Sequence, residues 1–182
     1  MAPRTDAEAI AASLSEPRAF VAVFDGHFDA VHRYLRRRVG KEIADELAAE
    51  TFAQAFEHRK RYDRNRPDAR PWLYGIAHNL LRHHYRDEER ALRAYARTGA
   101  DPLQGSAEDA DRPGPALADA LAALSPGERD VLLLIAWAEL EYAEVAQALR
   151  IPVGTVRSRL SRARGRFREL LERSGQYEKE TI

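Results

Sequence analysis

The sequence predicts an all-α protein of two small helical domains joined by a flexible linker, and three observations carry that prediction. Apolar residues recur at steps of three and four in nearly every segment long enough to form an element, while the alternation of a half-buried strand is weak throughout. The stretch 99–115, GADPLQGSAEDADRPGP, is acidic, lacks aromatics and is punctuated by glycine and proline at both ends, a composition that cannot bury a core. The 182 residues leave room for a modest core on either side of it. The expected division is a tail over 1–16, a domain over 17–97, the linker over 98–116, a second domain over 117–174 and a tail over 175–182.

Taken in order, Phe20, Phe24, Phe28, Val31 and Leu35 outline one face of a first helix, which Gly40 can cap. A second helix is expected from about Ile43 to His58, with Leu47, Phe52, Ala55 and Phe56 apolar and Asp45, Glu46 and Glu50 on another side. The polar loop RKRYDRNRPDAR follows, and Pro71 suits the first turn of a third helix. Leu73, Ile76, Ala77 and Leu80 should form its inner face, with His78, Asn79, Arg82 and Arg86 projecting elsewhere. Downstream, Ser125, Pro126 and Glu128 make a capping-box start for a fourth helix. A short helix over Tyr142 to Leu149, a break at RIPV and a long basic helix complete the chain.

Composition excludes several classes of function. Lysine plus arginine and aspartate plus glutamate number 29 each, so no overall charge draws the chain to nucleic acid or membrane. No cysteine is present, which excludes disulfides and thiolate chemistry and suits a reducing cytoplasm. The N-terminus lacks a signal-peptide pattern and no apolar run is long enough to insert in a membrane, so a cytoplasmic protein is expected. Of the six histidines, His78, His83 and His84 cluster, but no HExxH occurs, and His84 is expected in the core. No phosphate-cradling loop, nucleophile elbow or paired carboxylates appear. Neither an enzyme nor a cofactor- or metal-dependent protein is expected.

The informative segment is IPVGTVRSRLSRARGRFREL, 151–170. Val153, Val156, Leu160, Ala163, Phe167 and Leu171 form a packing stripe at helical spacing. Opposite lie Thr155, Ser158, Ser161, Arg162 and Arg166, flanked by Arg157 and Arg159. Short hydroxyl side chains permit close approach to a groove, and arginine reaches phosphates or the paired acceptors of guanine. Residues 151–173 hold seven arginines against two glutamates, whereas 100–141 hold two arginines against nine acids, so overall neutrality conceals segregated charge. With the preceding helix and turn, the pattern is a helix-turn-helix whose second helix reads DNA.

These residues resemble the group 4, extracytoplasmic function (ECF), sigma factors of bacterial RNA polymerase. LSPGERDVLLLIAWAELEYAEVAQALRIPVGTVRSRLSRARGRFREL is similar to sigma domain 4, while ADELAAETFAQAF followed by RPWLYGIAHNLLRHHYR is similar to sigma domain 2. Two matches in the right order are far more specific than one helix-turn-helix. The resemblance implies that Asp45, Glu46, Glu50, Thr51, Phe52 and Gln54 dock on the β′ clamp helices of core RNA polymerase. The β flap is a further implied contact. It implies that the segment 61–86 opens the −10 element and holds unstacked bases of promoter DNA, through Arg61, Tyr62, Arg64, Arg66, Trp72, Asn79, Arg82 and Arg86, with Arg70 and Tyr85 nearby. It also implies −35 contacts at Arg157, Ser158, Ser161 and Arg162, beside the Thr155 and Arg166 of the same face. The acidic linker would thread the polymerase cleft or act as a tether, and an anti-sigma factor is an expected partner. Arg150 stands where the family commonly has glycine, and Ser161 where a larger side chain is frequent. An alternative of another class is a sigma-like module that titrates an anti-sigma factor without binding promoters.

Overall fold

Thr5 and Glu8 close a capping box at the start of a helix: Glu8 N–H donates to Thr5 Oγ1 at 3.3 Å and Thr5 N–H to Glu8 Oε2 at 3.0 Å. This helix, α1 (Asp6–Ala12), occurs in the computed structural model of the chain, which describes residues 5–98 and 114–180. It buries Ala7, Ala9 and Ile10, so the segment expected to be an N-terminal tail instead belongs to the first core. Two turns are too few for periodicity to stand out, and the single large apolar residue, Ile10, does most of the anchoring.

A 3-10 turn over Pro17–Phe20 leads into α2 (Val21–Val39), which stops at Gly40, where φ is 81°. That left-handed-side conformation is open to glycine at little steric cost, and α3 (Lys41–His58) begins at once. Ala44, Ala48 and Ala55 are fully buried on α3, and their small size lets its backbone lie close to the neighbouring helices. The inner face of α2 is Val23, Val31, Tyr34 and Leu35 rather than the stripe through Phe24 and Phe28. Those two rings stack at 4.7 Å and meet Phe52 at 5.0 and 5.7 Å in a cluster at the rim, leaving Phe24 38% exposed.

After a 3-10 turn (Arg59–Arg61) and a polar loop comes α4 (Arg70–Thr98). Its buried side chains are Leu73, Tyr74, Ala77, His78 and Leu81, with Ile76 and Leu80 only partly covered. The inner face is therefore rotated from the expected one, because Tyr74 packs edge-on against Tyr34 at 5.3 Å. The same rotation reverses two histidine assignments. His78 is the buried one, while His84 is partly exposed and pairs with Glu88 at 3.5 Å.

The chain divides into two compact units, Met1–Arg112 and Pro113–Ile182. In the second, α5 (Pro115–Ala122), α6 (Pro126–Ala136), α7 (Tyr142–Leu149) and α8 (Val153–Glu180) enclose a core of Leu124, Val131, Leu134, Val145, Val156 and Leu160. Helix α5 begins inside the stretch expected to be linker, and α8 runs to Glu180, into the stretch expected to be a C-terminal tail. The rest of the linker, 99–113, lies outside the described residues. Among the described residues no helix is long and apolar enough to cross a membrane.

Candidate nucleic-acid interface

The turn between α7 and α8 sets the second helix of the helix-turn-helix. Arg150 adopts the left-handed conformation, φ 54° and ψ 47°, and Ile151 N–H donates to Ala146 O at 3.0 Å, closing a Schellman-type end on α7. This left-handed conformation is one that glycine adopts at little steric cost, in keeping with the expectation stated for Arg150. Pro152 and Val153 then start α8, whose Val156, Leu160 and Ala163 are buried as the stripe requires. Thr155 is partly covered, Ser158 Oγ donates to Thr155 O at 3.1 Å, and Arg157 and Ser161 are exposed.

Arg162 and Arg166 are exposed together with Ser158 and Ser161, with 60% and 59% of their side chains open, and each guanidinium also reaches Glu128 of α6. Arg162 Nε donates to Glu128 Oε1 at 3.1 Å, and Arg166 Nη1 to Glu128 Oε2 at 3.4 Å. Glu128 is 5% exposed and also accepts from Ser125 N–H at 3.3 Å and Ser125 Oγ at 2.8 Å. A carboxylate so buried needs charged and hydrogen-bonding partners, and the two arginines supply them from the exposed face. The Ser125 hydroxyl, helped by Arg162 and Arg166, holds the Glu128 carboxyl below the ordinary glutamate range despite the upward push of burial. The sequence signal of Glu128 is that of a helix cap; its second role has no local signal, since its partners lie 34 and 38 residues away.

A groove of about 360 Å³ beside the start of α7 is lined by Tyr142, Arg157, Leu160, Ser161, Arg164, Gly165 and Arg168. It adds Tyr142, Arg164 and Arg168 to the cationic face, none of which the sequence reading had selected. Their signal was available: Arg157, Ser161, Arg164 and Arg168 follow steps of four, three and four along one helix.

In the first unit, the loop between α3 and α4 is held by its own hydrogen bonds. Tyr62 is buried, not presented to bases, and its hydroxyl donates to Arg66 O at 2.7 Å and Asp68 O at 3.1 Å. Burial, with the charges of Asp6 and Asp68 adding to it, pushes this phenol up to about 12. Trp72 packs on Tyr62 with ring centroids 4.9 Å apart and keeps part of its surface exposed. Arg66 pairs with Asp63 at 3.2 Å, while Arg61 and Arg64 are exposed. On α4, Asn79, Arg82 and Arg86 are exposed along one side, with Arg86 Nε donating to Arg82 O at 3.2 Å. Tyr85 is also exposed there and its hydroxyl reaches Arg38 O.

The acidic set on α3 separates into two layers. Asp45, Glu46 and Glu50 are exposed, Asp45 meeting His32 at 2.6 Å and Glu50 accepting from Gln54 at 2.8 Å. Thr51 and Phe52 are buried, with Thr51 Oγ1 donating to Leu47 O at 2.6 Å. These two support the surface from beneath and do not form it.

Comparison with known proteins agrees with this layout. The family model Sigma-70 region 2 matches residues 23–91, and Sigma-70, region 4 matches residues 115–167. The ECF RNA polymerase sigma factor SigL of Mycobacterium tuberculosis is 30% identical over 172 residues, covering 90% of this chain and 95% of SigL. The RNA polymerase sigma factor HrpL of Pseudomonas syringae is 33% identical over 110 residues; the match takes in 56% of this chain and only 59% of HrpL. Among solved structures, CnrH in complex with the cytosolic domain of CnrY superposes with a TM-score of 0.69 at 27% identity, covering 92% of this chain and 97% of that one. The chain belongs to the ECF group of the sigma-70 family of RNA polymerase sigma factors.

Proposed function

We propose that the protein is a promoter-specificity subunit that works in the cytoplasm with core RNA polymerase and has no catalytic activity of its own. The exposed carboxylates Asp45, Glu46 and Glu50 suit docking on a basic surface such as the β′ clamp helices. The loop cations Arg61 and Arg64, with Trp72, Asn79, Arg82 and Arg86, suit an unstacked −10 strand, which needs cations along its phosphates and planar or amide groups beside its bases. In the second unit, Arg157, Ser158 and Ser161 are the base-facing candidates for the −35 element. Tyr142, Arg164 and Arg168 are the candidates for its phosphates.

The observation that carries this reading is the exposed run of Arg157, Ser161, Arg164 and Arg168 on the second helix of a helix-turn-helix, in a chain that also holds the acidic α3 surface. A repressor would leave that second surface unexplained. An anti-sigma protein is proposed as a further partner, by analogy with CnrH, which was solved with the cytosolic domain of CnrY.

In vitro transcription with purified core polymerase and a pool of genomic promoters tests the proposal. Promoter-dependent transcripts are expected, and DNA affinity should fall with added salt as phosphate contacts release counterions. Charge-neutral substitution of both Arg157 and Arg164 should reduce transcription while leaving polymerase binding intact. Polymerase binding with no initiation at any promoter would favour the titrating module instead.

A further inference from the structure

The helix that the sequence did not reveal, α1, touches both ends of the loop between α3 and α4. At its C-terminal end, Ser13 is buried, and its carbonyl accepts from Arg59 Nε at 3.4 Å. Arg59 opens the 3-10 turn where the loop departs from α3. At its N-terminal end, Ala7 N–H donates to Pro67 O at 3.4 Å, and Asp6 Oδ2 accepts from Ala69 N–H at 2.8 Å. The same oxygen receives His27 Nε2 of α2 at 2.8 Å. Burial pushes the Asp6 carboxyl up, but the bonds from His27 and Ala69 outweigh it and the group sits below the ordinary aspartate range.

Asp68 brings a third donor atom within 4.8 Å of Asp6 and His27. The shared Asp6 oxygen is already committed to two N–H donors, so the cluster is a hydrogen-bonded clasp and not a cation cage. Its orientation is fixed because Asp6 is the first residue of a helix pinned by the Thr5–Glu8 capping box and by the burial of Ile10. Between the two attachments the loop carries Arg61, Tyr62, Arg64 and Arg66. A groove of about 500 Å³ separates α1 from the loop tip, lined by Thr5, Ala7 and Glu8 on one side and Arg64, Asn65 and Pro67 on the other.

We infer that α1 is a brace for the −10 loop, and that Asp6 is its positioning residue, fixing the segment 67–69 against α1 and α2 so that the loop cations are presented in one arrangement. This rests on the proposed −10 role of the loop. A loop whose ends are both tied to one helix loses less conformational freedom on meeting DNA, so the brace should govern promoter opening more than polymerase docking. Asp45, Glu46 and Glu50 lie on a different helix, α3.

The test compares wild type with Asp6→Ala and Asp6→Asn in the full chain. Three measurements are needed: affinity for core polymerase, opening of a −10 element labelled with 2-aminopurine, and amide exchange at Ala69. Asp6→Ala should open the promoter about tenfold more slowly, bind core within about twofold of wild type, and lose protection at Ala69 while α2 and α3 stay protected. Asp6→Asn keeps an acceptor for the Ala69 N–H and should recover most of the opening rate. Wild-type opening by Asp6→Ala, or equal proportional losses in core binding and opening, would overturn the inference. So would unchanged protection at Ala69 in a variant whose opening has slowed. If the wild-type protein bound core but opened no promoter, the −10 assignment itself would fall, and this inference with it.

Discussion

The two units handle positive charge in opposite ways. In the first, the structure around the candidate DNA loop is built on buried Tyr62 and half-buried Asp6 and Asp68, with Arg61 and Arg64 exposed. In the second, one helix carries six arginines over 157–168, and the fold sorts them. Arg162 and Arg166 serve Glu128, Arg159 lies over Gly127 of α6, and Arg157, Arg164 and Arg168 remain on a groove. A basic run therefore does not by itself show which arginines have partners within the fold: here Glu128 engages two of the six.

The largest effect should come from breaking the layering of the first unit. Phe52→Ala removes a ring that is 4% exposed and in contact with Phe24 and Phe28, and should cost about 3–5 kcal/mol of stability. Its loss of polymerase binding should therefore track its melting curve, whereas Asp45→Asn and Glu50→Gln should weaken binding with the melting curve unchanged. If Phe52→Ala melted like wild type yet lost binding, Phe52 would be a direct contact and the two-layer description of α3 would be wrong.

Next in size is the contrast within α8. Arg157→Ala should weaken binding to a −35 duplex by about 1–3 kcal/mol, roughly five- to 150-fold, and leave stability unchanged. Arg162→Ala should weaken binding less and lower the melting temperature, because Glu128 loses its closer guanidinium. Fluorescence anisotropy alongside thermal melting separates the two. Equal binding losses with equal melting temperatures would mean that the Glu128 pairing does not divide the arginines.

The sequence made the all-α class, the helix starts at Ser125 and Tyr142 and the stripe through Val156, Leu160 and Ala163 legible, because each depends on residues within a turn or two of one another. What it could not show depends on partners distant in the chain. His78 and His84 exchanged expected environments because Tyr74 meets Tyr34 across two helices and rotates α4. Phe52 is buried, as its place among the apolar residues of α3 predicts, and Thr51 is buried beside it, so the docking set implied by the resemblance divides between surface and core. Asp6 looked like part of a tail, since its partners are His27 and Ala69. The groove arginines are a different case: Arg164 and Arg168 follow Arg157 and Ser161 at helical spacing, so this flank is legible in the sequence.

A smaller effect should appear in the pH dependence of the second unit. The folded-state pKa of Glu128 lies below its unfolded value, so its ionised network stabilises the fold above about pH 4.5 and that contribution fades as pH falls through the lower folded value. The melting-temperature gap between wild type and Glu128→Gln should accordingly be widest at neutral pH and close on acidification. A gap that stayed constant down to pH 3 would mean that the carboxylate's charge contributes nothing there.

The finest adjustment concerns the turn that aims α8. Arg150 sits in the left-handed region at φ 54°, where a side chain with a Cβ is strained and glycine is not. Arg150→Gly relieves that strain but also loosens the unfolded chain, which offsets part of the gain. The net result should be a stabilisation of about 0.5 kcal/mol, with the Ile151 to Ala146 hydrogen bond retained and −35 affinity unchanged. Arg150→Ala keeps the strain while deleting the charge, so it serves as the control. If Arg150→Ala lowered −35 affinity and Arg150→Gly did likewise, the guanidinium would be a phosphate contact. The departure from glycine would then be explained by binding, and the strain at this turn would be the cost of adding one more cation beside α8.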